Sequence, residues 1–318
     1  MRGSHLVSLV FAILVAASIV PPAGAESGWP RTLNDDTGAA VTVAAPPRRI
    51  VSLTLPTDEI LCSLVSRSRL AAVTAFAADP VVSNVVDAVK SVPVKLSQLN
   101  VEVVVALRPD LVFVADWTDA SSVRQLREAG LPVYEYRSPA TVPEIESRIL
   151  ALGRAVGEEI AARTLVDGME ARLARVAARV TKVPPARRLT VMDYNTWGTA
   201  MGSGSSWGEI VRRAGLRNGV EGLAADAHGA VPISREKLLQ IDPDILLVPA
   251  WIYGDAQGSD AFYRSIVGDP AFRGLRAVRG GRVYRMPESL KSSTSQYIVS
   301  AIEALAAMAY PDLFRSGS

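Results

Sequence analysis

Cysteine and histidine are nearly missing from this chain: Cys62, His5 and His228 are the full complement in 318 residues. A lone cysteine forms no disulfide within the chain, and two distant histidines cannot gather the ligand set of a zinc or manganese site. No block of one charge occurs either, since 34 Lys and Arg balance 32 Asp and Glu along the chain for a formal charge of +2. That spread leaves no electrostatic footprint for a nucleic acid. Only one long apolar run is present, at residues 6–20. As a helix it would reach ~22 Å, short of the ~30 Å hydrocarbon core. Arg2 and His5 precede the run, and Pro21, Pro22 and Ala23-Gly24-Ala25 follow it. That order is the one of a secretory signal, with cleavage expected after Ala25. No cysteine follows to carry a lipid, so a soluble, disulfide-free periplasmic protein is expected.

What the chain does contain is a repeat. VEVVVALRPDLVFV at 101–114 returns 134 residues later as REKLLQIDPDILLV at 235–248. Glu102 and Glu236 stand in the same register, seven positions before Pro109 and Pro243. Each proline ends a short helical run and is followed by Asp and an unbroken apolar stretch, the pattern of a buried parallel strand. The unit is therefore helix, tight turn, strand, used twice.

The rest of the chain fits two lobes built from such units, with 49% hydrophobic and 21% charged residues. A hairpin around Asp35-Asp36-Thr37-Gly38 is expected within 26–48. Strands are expected at 50–55, 70–76, 110–115 and 132–136, and again at 189–194, 245–249 and 283–286, alternating with helical stretches. Between the two sets, Leu165, Met169, Leu173, Val176 and Val180 form one stripe at spacings of three and four. The helix they imply would be about 35 Å long, enough to run across two lobes, with Pro184-Pro185 ending it. The expected division is a signal at 1–25, an extension at 26–48, a first lobe at 49–157, a connecting helix at 158–183 and a second lobe at 184–318. The fold class is α/β: two three-layer lobes with mainly parallel sheets, joined by one long backbone helix.

In open α/β sheets ligands bind beyond the carboxyl ends of the strands. Those positions hold Pro56, Thr57, Phe76, Asp79, Trp117, Tyr136, Arg137, Tyr194, Trp197, Trp251 and Tyr253. Seven of the eleven are aromatic in a chain that is 6% aromatic, which suits a large, flat, partly apolar ligand. Lys291 and the hydroxyls of 291–295 would add polar contacts or cap the last helix. An enzyme has one foothold: Gly204-Ser205-Ser206-Trp207-Gly208 matches the elbow of serine hydrolases, with Ser206 as nucleophile. The strand end expected at Tyr194 is too far upstream to feed it, and His228 follows too closely for the usual hydrolase order, so no enzyme is expected.

Nearly the whole chain after residue 25 resembles the periplasmic substrate-binding proteins of ABC importers for ferric siderophores, haem and cobalamin. The strings are WPRTLNDDTGAAVTV, PPRRIVSLTLPTDEIL, LNVEVVVALRPDLVFVADW, LREAGLPVYEY, GSGSSWGEIVRRAG and VPISREKLLQIDPDILLV, in order. The resemblance implies that Glu102 and Glu236, at the lobe tips, dock onto arginines of an ABC permease dimer worked by a cytoplasmic ATPase. It also implies a monomer without a cofactor of its own, carrying an iron or cobalt chelate. A catecholate would call for several arginines, and only Arg137 and Lys291 are placed near the cleft, which tilts the expectation toward a hydroxamate, haem or corrinoid. Haem would need Tyr194, Tyr136, Tyr253 or His228 as an axial ligand. Trp117 alone matches the tryptophans of the cobalamin carriers.

Overall fold

The computed structural model describes residues 28–252, 254–255 and 257–315. The signal reading at 1–25 and Tyr253 lie outside the described residues. The strands are β1 (Arg31–Asn34), β2 (Ala40–Val43), β3 (Ile50–Ser52), β4 (Leu70–Thr74), β5 (Val94–Leu96), β6 (Leu111–Ala115) and β7 (Val133–Tyr136), then β8 (Thr190–Asp193), β9 (Thr199–Met201), β10 (Arg217–Asn218), β11 (Ala230–Pro232), β12 (Ile245–Pro249) and β13 (Val283–Met286). The first lobe holds a five-stranded parallel sheet in the order β5-β4-β3-β6-β7, and the second a four-stranded parallel sheet, β10-β8-β12-β13. In both, the chain winds one way from a central strand and then the other. The reversal falls between β3 and β6, and between β8 and β12, which is where such sheets open a crevice.

The repeat fixes the same local geometry in each lobe. Its helices, Val101–Ala106 and Arg235–Ile241, are capped by Asn100 and Ser234, whose side chains accept the amides of Val103 and Lys237 at 3.0 and 3.1 Å. Each is followed by a non-glycine residue at φ 45°, Arg108 and Asp242, and among the described residues these two alone take positive φ without being glycine. Asp110 then accepts the amides of Arg48 and Arg49 at 2.7 and 2.9 Å, and Asp244 accepts that of Thr190 at 2.8 Å. Each aspartate therefore clamps the start of the neighbouring central strand, β3 or β8. Trp117 and Trp251 stand in the same 134-residue register, so the repeat extends past the strands to their tips.

Alternate residues of each central strand feed opposite faces. Leu111 and Phe113 join one core while Val112 and Val114 join another; Ile245 and Leu247 divide from Leu246 and Val248 in the same way. The outer faces have separate cores, but the inner faces share one. It runs from Ile50 and Phe113 through Val166, Met169, Leu173 and Val176 of the helix Glu159–Val180 to Trp207, Leu247 and Ile302. That helix is the 22-residue connection between the lobes. Its predecessor, Val142–Val156, starts at a capping box between Thr141 and Glu144 and stops at Gly157 in the left-handed conformation, φ 75°. The two helices meet at Gly153 and Ala162.

The hairpin β1-β2 closes the edge strand β7. Asp36 donates its amide to Glu135 O at 3.1 Å and accepts the Tyr134 hydroxyl, the Arg137 amide and Arg148 Nε, each at 2.9 Å. These bonds occupy backbone groups that would otherwise stand open at the sheet edge. Short β5, β9, β10 and β11 lie outside the sequence expectations.

Candidate functional site

A cavity of about 850 Å³ opens where the reversal points of the two sheets face each other. Leu55 and Pro56 follow β3; Asp193 and Asn195 end and follow β8; Pro249 and Trp251 end and follow β12. Trp197, Trp207 and Trp251 supply aromatic wall, and Ser138, Thr196, Ser206, Ser289, Ser292, Ser293 and Thr294 supply hydroxyls. The indole N–H of Trp207 is buried with no partner among the described residues.

The cavity's charged residues are Glu59, Asp193, Glu288 and Lys291. Lys291 lies 3.3 Å from Glu288, and no arginine lines the wall among the described residues. Burial holds the Asp193 carboxyl above its ordinary value, against the pull of the Lys291 ammonium and a hydrogen bond from the Met201 amide at 2.8 Å. Burial likewise raises Glu59, whose Oε1 accepts both the amide and the Nδ2 of Asn84, at 3.0 and 2.8 Å, and whose Oε2 accepts the Ser295 hydroxyl. The site thus combines one paired cation with two carboxyls pushed toward neutrality.

Of the residues placed at the cleft by sequence, Pro56, Trp197, Trp251 and Lys291 line the cavity. Thr57, Tyr136 and Tyr194 do not, which corrects their expected position. Thr57 is spent inside the first lobe, its hydroxyl bonded to those of Ser52 and Thr54 at 2.6 and 2.8 Å. Tyr136 ends the edge strand β7, away from the reversal point, and is fully buried in the shared core. Tyr194 turns into the outer core of the second lobe against Phe262, with ring centroids 5.9 Å apart. Phe76, after β4, and Trp117 stand in solvent, 52% and 80% exposed, outside the cavity wall. Arg137 pairs with Asp116 at 3.0 Å and Asp79 caps the Val81 amide at 2.9 Å, both also outside it. His228 is exposed in a loop, its amide held by Asp226 at 2.8 Å.

The nucleophile-elbow reading also fails on geometry. Ser206 lines the cavity, but it occupies the first turn of the helix Ser206–Arg213, capped by Ser205, and not a strained strand-to-helix turn at positive φ. No hydrogen bond joins it to His228. Glu59, Asp193 and Trp207 were missed by sequence reasoning. Their signals are legible afterwards: a carboxylate in the apolar helix LPTDEILCSL, an acid at the carboxyl end of a central strand, and an aromatic opening a helix after a glycine-rich loop.

Residues 50–290 match the family described as periplasmic binding protein. The chain belongs to the periplasmic binding protein family. An uncharacterized ABC transporter substrate-binding lipoprotein of Bacillus subtilis is 25% identical over 295 residues, covering 90% of this chain and 88% of the relative. A cobalamin-binding protein of Halobacterium salinarum is 27% identical over 265 residues, covering 78% and 69%. In structure, the molybdate-bound MolA of Haemophilus influenzae superposes with a TM-score of 0.71 at 21% identity, over 90% of this chain and 93% of MolA, a likeness of fold.

Glu102 and Glu236 are both exposed in the first turns of the repeat helices. The Glu236 carboxyl is held below its ordinary value by its own amide and the Ser234 hydroxyl. Val103, next to Glu102, and Leu239, three residues after Glu236, are exposed apolar residues.

Proposed function

We propose that the protein is the exported, monomeric carrier of an ABC importer, binding a metal chelate of low net charge, a corrinoid foremost, without chemical change. It hands this cargo to a permease dimer driven by a cytoplasmic ATPase, and Glu102 and Glu236 are its docking residues. The observation that carries the reading is the cavity itself. Trp251, with the exposed Trp197 and the buried Trp207 beside the same cavity, gives it an aromatic surface suited to the flat apolar face of a macrocycle, and its hydroxyls and Asn195 suit a rim of amides. Molybdate, the cargo of MolA, is a dianion and would meet Glu59, Asp193 and Glu288 with a single ammonium already paired. Haem would find no tyrosine or histidine on the described wall. The cobalamin-binding relative supports the corrinoid directly.

The test titrates the purified protein with cyanocobalamin, ferrioxamine B, haemin and molybdate, following tryptophan fluorescence. Saturable quenching by cyanocobalamin, lost in Trp251→Ala, is expected, with no response to molybdate. Saturable molybdate binding, or no response to any chelate, overturns the assignment.

A further inference from the structure

We infer that Glu59 is a positioning residue for the cargo site, holding the loop 288–296, which opens with the helical turn Glu288–Lys291, to the first lobe although that loop follows the last strand of the second. Its effect on cargo rests on the carrier reading above; its effect on the loop does not. The loop supplies Glu288, Ser289, Lys291, Ser292, Ser293 and Thr294 to the cavity wall. Where those groups stand when the lobes move therefore decides how cargo is gripped.

The hydrogen bonds assign the loop to the first lobe. Ser289 donates its amide to Val81 O at 3.2 Å, and its carbonyl accepts Asn84 Nδ2 at 2.7 Å. Ser295 donates its hydroxyl to Glu59 Oε2. Gln296 Nε2 donates to Glu59 O at 2.8 Å and to Ser63 Oγ at 3.1 Å. Among the described residues, every other hydrogen bond of the loop stays within 287–299. None ties it sideways to β8 or β12. The Glu59 carboxylate is the node of this seam, because the same Asn84 Nδ2 that bonds Ser289 also bonds Glu59, and Ser295 bonds the other oxygen. Buried hydrogen bonds are costly to leave unmade. A helix of the first lobe thus carries the polar loop, while Asp193, Trp251 and the β8 and β12 tips belong to the other jaw.

Amide hydrogen exchange on the whole chain tests this. Glu59→Ala removes the node, while Glu59→Gln keeps it, since the amide oxygen accepts from Asn84 and the amide nitrogen donates to Ser295. Asn84→Ala cuts the same seam from outside the cavity wall, which covers the case in which Glu59→Ala fails to fold. Exchange of the 289–299 amides is expected to speed up by about tenfold or more in Glu59→Ala and Asn84→Ala, because buried partners are left unsatisfied. Glu59→Gln keeps parental exchange there, and the β12 amides stay protected in all three. Asn84→Ala is also expected to weaken cyanocobalamin binding through a faster off-rate, although Asn84 does not line the cavity. Unchanged exchange at 289–299 in both Glu59→Ala and Asn84→Ala overturns the inference whatever the chain binds. Faster exchange in a chain that binds no corrinoid sinks the cargo assignment and supports the positioning role.

Discussion

Replacing Gly153 by alanine asks whether the tight crossing of the helices Val142–Val156 and Glu159–Val180 is what holds the lobes in register. A methyl on Gly153 would overlap Ala162 Cβ and come within 3.2 Å of Glu158 O, where carbon contacts normally need ~3.5–4.0 Å. Neither obstacle can turn away, because one is a Cβ and the other a main-chain oxygen. In a free helix the exchange would stabilise by ~1 kcal/mol, alanine being the better helix former. Overpacking that forces backbone apart costs ~1 to 3 kcal/mol, and rigid obstacles on both sides put this site at the upper end. The expected net effect is a loss of about 2 kcal/mol. Ala162→Gly in the same chain removes the harder overlap and gives back ~1 kcal/mol of helix propensity while the milder contact with Glu158 O remains, so the double variant should be more stable than the single and fall within about 1 kcal/mol of the parent. Urea unfolding followed by far-UV circular dichroism measures all three chains. A Gly153→Ala protein more stable than its parent, or a double variant as unstable as the single, refutes the packing argument.

Asp58 is fully buried, and burial raises its carboxyl well above the usual value despite hydrogen bonds from Thr74. An acid raised on folding binds its proton more tightly folded than unfolded. Its favourable contribution is complete below the ordinary carboxylate range, about pH 4, and is lost as pH rises toward the folded value. Asp58→Asn cannot ionise, so its urea midpoint relative to the parent should improve as pH rises from about 4; a constant difference rejects the assignment. On the proposed docking role, Glu102→Ala with Glu236→Ala should abolish cargo uptake in the host while binding by the purified protein stays within about twofold. Two exposed ion pairs contribute at most ~2 kcal/mol, about 30-fold in docking affinity, which suits a carrier that must be released. Unchanged uptake removes the docking role.

How much of this was legible in advance depends on how local each cause is. The repeat, its Pro-Asp turns and the apolar strands are consequences of neighbours in the chain, and they carried the α/β class, the parallel sheets and the long connecting helix, found at Glu159–Val180. Strand β12 was legible to the residue because Ile245–Pro249 is apolar on both faces and buried on both. Short β9 and β11 were not legible, since three residues carry no period and their pairing, Thr199 with Pro232, spans a long loop. The site divided on the same principle. Pro56, Trp251 and Lys291 follow strands or lie in a loop that the fold brings to the crevice. Tyr136 and Tyr194 also end strands, yet they point into cores, because β7 is an edge strand and the turn after β8 folds back on Phe262. Period and turn chemistry act between residues a few positions apart, and the sequence by itself therefore determined the units and their order. Only the tertiary structure decided which strand ends meet at a reversal point, and it alone could bring Glu59 to Ser295 across 236 residues, because burial and pairing at that distance are set by packing.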